Sequence, residues 1–154
     1  MKVTLIAVGA LKSGPERELF DDYAERFRRT GQGLGFRSFT EIEVDSGGGL
    51  DREGNRILAR LPETALAIRL DEHGKSLAST DFAKRLGTYR DDGIPELVFL
   101  IGGAAGYARE VRKRVPDTLA FGVQTWPHKL VRAMLAEQLY RAASILAGSP
   151  YHKA

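Results

Sequence analysis

The sequence predicts an α/β protein in which a mostly parallel sheet is covered by helices. Three observations carry that reading. Short apolar, β-branched runs recur along the 154 residues. Each is followed by a stretch of helical periodicity, and the connections are too long for hairpins, so successive strands run the same way. A chain of this length forms one domain, residues 1–154, that buries roughly 70% of its unfolded surface. No repeat or linker divides it.

Val3 to Val8 is a strand buried on both faces and bounded by Gly9. Ser13-Gly14-Pro15 starts a helix in which Leu19, Tyr23 and Phe27 recur every four residues until Thr30-Gly31. Phe39 to Val44 alternates Ile42 and Val44 with Glu41 and Glu43, a half-buried strand. Asp45-Ser46-Gly47-Gly48-Gly49 is a loop, because consecutive glycines have nothing to pack. Ile57, Leu58 and Leu61 mark a short helix closed by Pro62, and Ala65 to Asp71 is a strand ending in the turn Glu72-His73-Gly74-Lys75. Ser79-Thr80-Asp81 offers caps for a helix from Phe82 to Tyr89, which Asp91-Asp92-Gly93 closes.

Glu96 to Ile101 is the strongest buried strand and runs directly into Gly102-Gly103-Ala104-Ala105-Gly106. A helix through Val111 stops at Pro116, and a short strand follows near Leu119 to Val123. The longest helix begins at His128. Its apolar face holds Leu130, Met134, Leu135, Leu139, Ala142 and Leu146, with Arg132, Glu137 and Arg141 on another face, until Gly148 and Pro150 stop it. That apolar face is broader than one sheet face needs and predicts a homodimer through this helix.

Composition removes whole classes of chemistry. With no cysteine in the chain, disulfide scaffolds, thiolate nucleophiles and zinc–cysteine or iron–sulfur centres are excluded. The three histidines, His73, His128 and His152, lie far apart, and no metal site is expected. No apolar run approaches a membrane span, and the first one breaks at Gly9, too short for a signal sequence; a cytoplasmic protein is expected. There is no Gly-x-Ser-x-Gly elbow and no phosphate-cradling Gly-x-x-x-x-Gly-Lys loop. The net charge of +3 fits a polyanionic partner without requiring one.

In open parallel sheets, ligands bind beyond the carboxyl ends of the strands. Three such ends carry candidate loops: after Leu70, after Ile101 and after Val123. The glycine loop from Gly102 to Gly106 is either a tight strand-to-helix turn or a place where backbone approaches a ligand, and it departs from the dinucleotide pattern Gly-x-Gly-x-x-Gly. Thr125-Trp126-Pro127-His128 combines the only tryptophan with a backbone-fixing proline and a histidine at the head of the long helix. The tail Pro150-Tyr151-His152-Lys153 reads, on composition, as a frayed end.

Four segments together resemble one family. Leu100-Ile101-Gly102-Gly103-x-x-Gly106, Trp126-Pro127-His128-x-Leu130-Val131-Arg132, Ala136-Glu137-Gln138-Leu139-Tyr140-Arg141-Ala142 and Pro150-Tyr151-His152-Lys153 are similar to the RlmH family. These are ribosomal large-subunit RNA pseudouridine N3-methyltransferases of the SPOUT class, and the likeness spans the full chain. It implies a trefoil knot near the carboxyl end, a homodimer, and S-adenosyl-L-methionine held in bent form in a site shared between subunits. By position, the resemblance puts cofactor contacts on Leu70, Gly102, Gly103, Phe121, Gly122, Val123, Gln124, Thr125 and Trp126. It puts chemistry on Tyr151, His152 and Lys153 of the partner's tail, with His128 and Arg132 positioning the loop or a phosphate, and 23S ribosomal RNA within the ribosome as the partner. Ala104-Ala105, Lys129 and Lys153 depart from the usual family residues; Lys153 keeps the charge of an arginine but not its bidentate geometry. The competing readings are a SPOUT-type enzyme acting on another RNA, a non-catalytic RNA- or ribosome-binding module, and an adenine-dinucleotide oxidoreductase using the glycine loop.

Overall fold

The computed structural model describes residues 1–153. Five parallel strands form one sheet in the order β2-β1-β4-β3-β5, comprising β1 (Lys2–Val8), β2 (Ser38–Val44), β3 (Leu66–Leu70), β4 (Glu96–Ile101) and β5 (Thr118–Leu119). Period-two alternation divides the central strands between two cores. Leu5, Ala7, Leu97 and Phe99 face α1 (Pro15–Gln32), α3 (Ser79–Asp91) and α5 (His128–Ala147), while Ile6, Val8, Val98 and Leu100 face α2 (Leu50–Arg60) and α4 (Arg109–Arg114). Because the central strands are buried on both sides, their sequences read as continuous apolar runs.

The register places the functional end of the sheet. Ala7 pairs with Ile101, Ile101 with Leu70, and Leu70 with Leu119, so four strands reach their carboxyl ends side by side. Their outgoing loops therefore emerge together. Gly14, at φ +102°, turns the chain into α1 with Pro15 at its first position, where a missing N–H costs nothing.

The local readings depart from the structure at four points. In α1 the buried positions are Phe20, Ala24, Phe27 and Gly31, whereas Leu19 is 44% exposed: the four-residue period holds, but its core phase starts one residue later because Phe20 packs against Phe39. The helix expected from Phe82 already begins at Ser79, with Ala78 at the cap; the Ser79 hydroxyl does not cap but donates to Gln138 Oε1 at 2.8 Å. The strand expected from Leu119 to Val123 stops at Leu119, and Gly122, at φ +92°, turns the chain away from the sheet. In α5, Leu135, Leu139 and Ala142 are consumed by α1 and α3 of the same chain, so the apolar face left for a second copy is smaller than the periodicity suggests.

Candidate active site

The loops leaving β3, β4 and β5 enclose a cleft of about 730 Å³, within the size range of small-ligand sites. Leu70, Gly102, Gly103, Phe121, Gln124, Thr125, Trp126 and His128 all line it. Gly122 and Val123 belong to the same turn but lie outside the lining, with Val123 93% exposed. A second cavity of about 250 Å³, beneath α3, contains none of the residues singled out from the sequence.

Tyr107 holds the floor of the cleft together. Its hydroxyl accepts the Gly102 N–H at 3.0 Å and lies 2.8 Å from both the Leu70 and Leu100 carbonyls, to which it is the donor. The ends of β3 and β4 are thereby tied through one oxygen. Burial pushes the Tyr107 phenol well above its ordinary range, so it keeps the proton this role needs. Sequence reasoning passed over this residue; an aromatic five positions after Gly102 was the available signal.

The two glycines serve packing more than open access. A β-carbon on Gly102 would lie 2.9 Å from the Gly106 carbonyl oxygen, and one on Gly103 would lie 3.2 Å from Glu53 Oε1 and 3.3 Å from Val8. Their missing side chains allow the loop to close on itself and on α2, which fixes where its backbone faces the cleft.

Carboxylates give the cleft its electrostatics. Asp71 accepts from Arg69 at 2.9 Å and from the His73 N–H at 3.0 Å, while Glu72 accepts from the Thr125 hydroxyl, tying the β3 loop to the 121–126 loop. Trp126 donates its indole N–H to the Phe121 carbonyl at 2.9 Å and closes that loop on itself. S-adenosylmethionine, which carries a sulfonium and an ammonium beside an adenosyl group, suits this set. Leu70, Phe121 and Val131 supply apolar wall, and Glu72 supplies negative charge beside Asp71, whose own charge is paired with Arg69.

Arg132 is placed differently from expectation. It is 3% exposed, pairs with Glu41 at 2.8 Å and Glu43 at 2.5 Å, and also donates to the Gly9 carbonyl. It sits inside the protein because its side chain reaches from α5 to the Gly9 carbonyl just beyond β1 and to the carboxylates of β2, and its charge is already neutralised, so it is not presented to a phosphate. Burial alone would raise the Glu43 carboxyl, but the Leu11 N–H, Arg132 and Arg17 outweigh that and hold it below its ordinary value. The polar alternation read in β2 is thus an internal ion network that anchors the start of α5, one turn beyond His128.

The tail lies apart from the cleft of its own chain. Tyr151 packs against Tyr140 with the rings tilted at 54° and centroids 4.6 Å apart, and donates to Glu137 at 3.0 Å; the Arg141 guanidinium stands over its ring at 4.8 Å. Burial, then Tyr23 and Glu137, raise the Tyr151 phenol, which fits an anchor rather than a proton acceptor. Arg141 also contacts His152 Nδ1 at 3.2 Å. A guanidinium has only donors, so Nδ1 accepts and the other ring nitrogen carries the proton. Arg141 follows His128 by thirteen positions, about 20 Å along the helix axis. Lys153 is exposed.

A five-stranded parallel sheet whose strand-end loops enclose a small-molecule cleft, followed by a long returning helix, defines an α/β protein with a ligand site at its carboxyl edge. Residues 1–152 match the family described as "Predicted SPOUT methyltransferase", and the chain belongs to that family. It is 62% identical over 154 residues to the "Ribosomal RNA large subunit methyltransferase H" of Hyphomonas neptunium, covering all of both chains. Its identity to the protein of the same name from Dinoroseobacter shibae is 50% over 155 residues, covering 99% of each, and to that from Bradyrhizobium diazoefficiens 49% over 160 residues, covering all of both.

Proposed function

We propose that this chain is an S-adenosylmethionine-dependent methyltransferase that modifies N3 of a pseudouridine in 23S ribosomal RNA, within the ribosome, and works in the cytoplasm as a homodimer. One observation carries the reading: seven of the nine positions that the family resemblance assigns to the cofactor converge on a single cleft at the strand ends. The names of the relatives, which span the full chain, support the ribosomal substrate.

The cofactor supplies an electrophilic methyl group on an already cationic sulfur. The chain's task is then orientation. Leu70, Phe121 and Trp126 would hold the cofactor and exclude water, Glu72 and the Arg69-paired Asp71 would face its positive charge, and the cleft would have to orient the base's N3 towards the methyl group. The N3 proton must leave as the new N–C bond forms; in this reading His128, which lines the cleft, receives it, and His152 of a second copy, with Nδ1 engaged by Arg141, would instead donate a hydrogen bond to the base. Arg132 is a positioning residue that seats the first turns of α5.

The homodimer rests on two features. The tail is held against Glu137, Tyr140 and Arg141, nine to thirteen positions along α5 from His128, and none of its residues lines the cleft of its own chain, so a role for it there requires a second subunit. Val123 and Trp126 also expose apolar surface at the cleft mouth, 93% and 37% accessible. The knot belongs to the same reading, supported by the return of the chain past the 71–76 loop, bonded at Ala120–Lys75 and Thr125–Glu72, before α5 crosses the sheet.

Calorimetric titration with S-adenosylmethionine and with a nicotinamide dinucleotide, paired with transfer of a labelled methyl group to ribosomes, tests the proposal. Binding of the first alone, with transfer, is expected. Dinucleotide binding instead would favour the oxidoreductase, and cofactor binding without transfer would favour a non-catalytic module.

A further inference from the structure

The positive charge of this protein is concentrated on one of its two helical faces. α2 and α4 cover the sheet together and pack closely, since a β-carbon on Gly54 would lie 2.8 Å from that of Ala108. Between them they carry Arg52, Arg56, Arg60, Arg109, Arg112, Lys113 and Arg114 against only Asp51, Glu53 and Glu110. That excess of four exceeds the net charge of the whole chain, +3.

None of these seven cations lies within ion-pair distance of a carboxylate among the described residues. Arg56 is engaged by the Asp45 and Gly47 carbonyls at 2.8 Å, which leaves its charge unneutralised. The other helical face differs: on α1, Arg17, Arg26 and Arg29 are each paired with an acid one turn away. In α4 only Val111 turns inward, while Arg109, Arg112, Lys113 and Arg114 are exposed. Cations suit the last turn of a helix, which covers Arg60 at the end of α2 as well, but that does not account for Arg109 in the first turn of α4 or for Arg52 in the first turn of α2.

The face is joined to the cleft, because Arg112 lines it and α4 follows directly on the glycine loop. We infer that the α2–α4 face is the surface that receives the phosphodiester backbone of the RNA, guiding the target nucleotide towards the cleft from the side of the glycine loop. The inference rests on the methyltransferase reading and adds where the substrate lies. Arginines and lysines free of internal partners release counterions from RNA, and each phosphate contact adds about 0.7 to the slope of log affinity against log salt for a single strand.

The test is a triple variant, Arg109→Glu, Lys113→Glu and Arg114→Glu, in the full-length protein, with Arg112 left intact because it lines the cleft. Methylation of ribosomes purified from cells lacking the protein is measured across a potassium chloride series, alongside binding of a short single-stranded RNA, cofactor affinity and the thermal midpoint. The expected result is a KM for ribosomes raised tenfold or more, kcat within about twofold, weaker binding of the short RNA, and a salt slope lower by about 2. Cofactor affinity and thermal midpoint should stay unchanged. Wild-type KM and salt slope in the folded variant would overturn the inference while leaving the methyltransferase reading standing. Loss of ribosome methylation with unaltered binding of the short RNA would overturn it in favour of a protein contact. Failure of the wild-type chain to methylate any ribosome would instead remove the reading on which it rests.

Discussion

Replacing Tyr107 with phenylalanine isolates the contribution of one oxygen to the cleft. The ring, which lies 5.3 Å beneath the Arg69 guanidinium, is retained, and only the bonds to Gly102 N–H, Leu70 O and Leu100 O are lost. Carbonyls tolerate partial satisfaction better than buried N–H groups, so the principal loss is the Gly102 donor, worth about 1–3 kcal/mol when left without a partner. For a chain of this length that predicts a thermal midpoint lower by roughly 4–8 °C for a loss of about 2 kcal/mol. Because the same oxygen ties the β3 and β4 ends, the cofactor-bound form should suffer as well. Loosening worth about 1.4 kcal/mol there raises the dissociation constant roughly tenfold. Differential scanning calorimetry and cofactor titration measure the two effects. A variant with unchanged midpoint and unchanged affinity would refute the assignment of Tyr107 as the tie between the loops.

Three further outcomes follow from the same geometry. Arg132→Met should destabilise the protein by about 2 kcal/mol, since it removes the buried cation and its charged hydrogen bonds and leaves Arg17 as the remaining partner of Glu41 and Glu43; urea unfolding reads this, and a loss below about 1 kcal/mol would mean that the network is not structural. Glu43 is held below its ordinary pKa of 4.5, so its contribution is present above that value and fades as pH falls through the lower folded-state value. The stability gap between wild type and Glu43→Gln should therefore be full at neutral pH and close as the pH falls below 4.5 through the lower folded-state value, and a gap independent of pH would contradict the assignment. Deleting the residues after Pro150 should abolish methyl transfer while sparing cofactor affinity. Mixing that truncated chain with a full-length chain carrying Gly103→Val should restore part of the activity if each cleft takes its tail from the other subunit. No recovery in demonstrated heterodimers would assign the tail to its own chain, and full activity of the truncated homodimer would make it a frayed end.

Much of the frame is written in local sequence because parallel strands buried on both faces must be continuously apolar. Val3 to Val8 and Glu96 to Ile101 announce themselves for that reason, and the glycines after Ile101 mark where the chain must turn. Three strand ends were thus readable as candidate loops. What local pattern does not carry is which loops meet, since β3 and β5 become neighbours only through tertiary pairing. The same limit explains Arg132: its spacing matches a solvated face, and only the tertiary packing of α5 against α1 brings Glu41 and Glu43, on β2, within its reach. Tyr107 was hidden similarly, as its three partners come from two strand ends. Gly103→Val acts on more than a ligand. With Glu53 and Val8 about 3.2–3.3 Å from an added β-carbon, the substitution perturbs the loop's own packing as well as any ligand beside it.

The central claim is tested most directly by mass spectrometry of large-subunit ribosomal RNA from cells with and without this protein. The account predicts one pseudouridine that carries an N3 methyl in the parent strain, loses it in the deletion strain and regains it when the intact chain is supplied, but not when the chain lacking residues after Pro150 is supplied. An identical large-subunit modification pattern in the parent and deletion strains would contradict it.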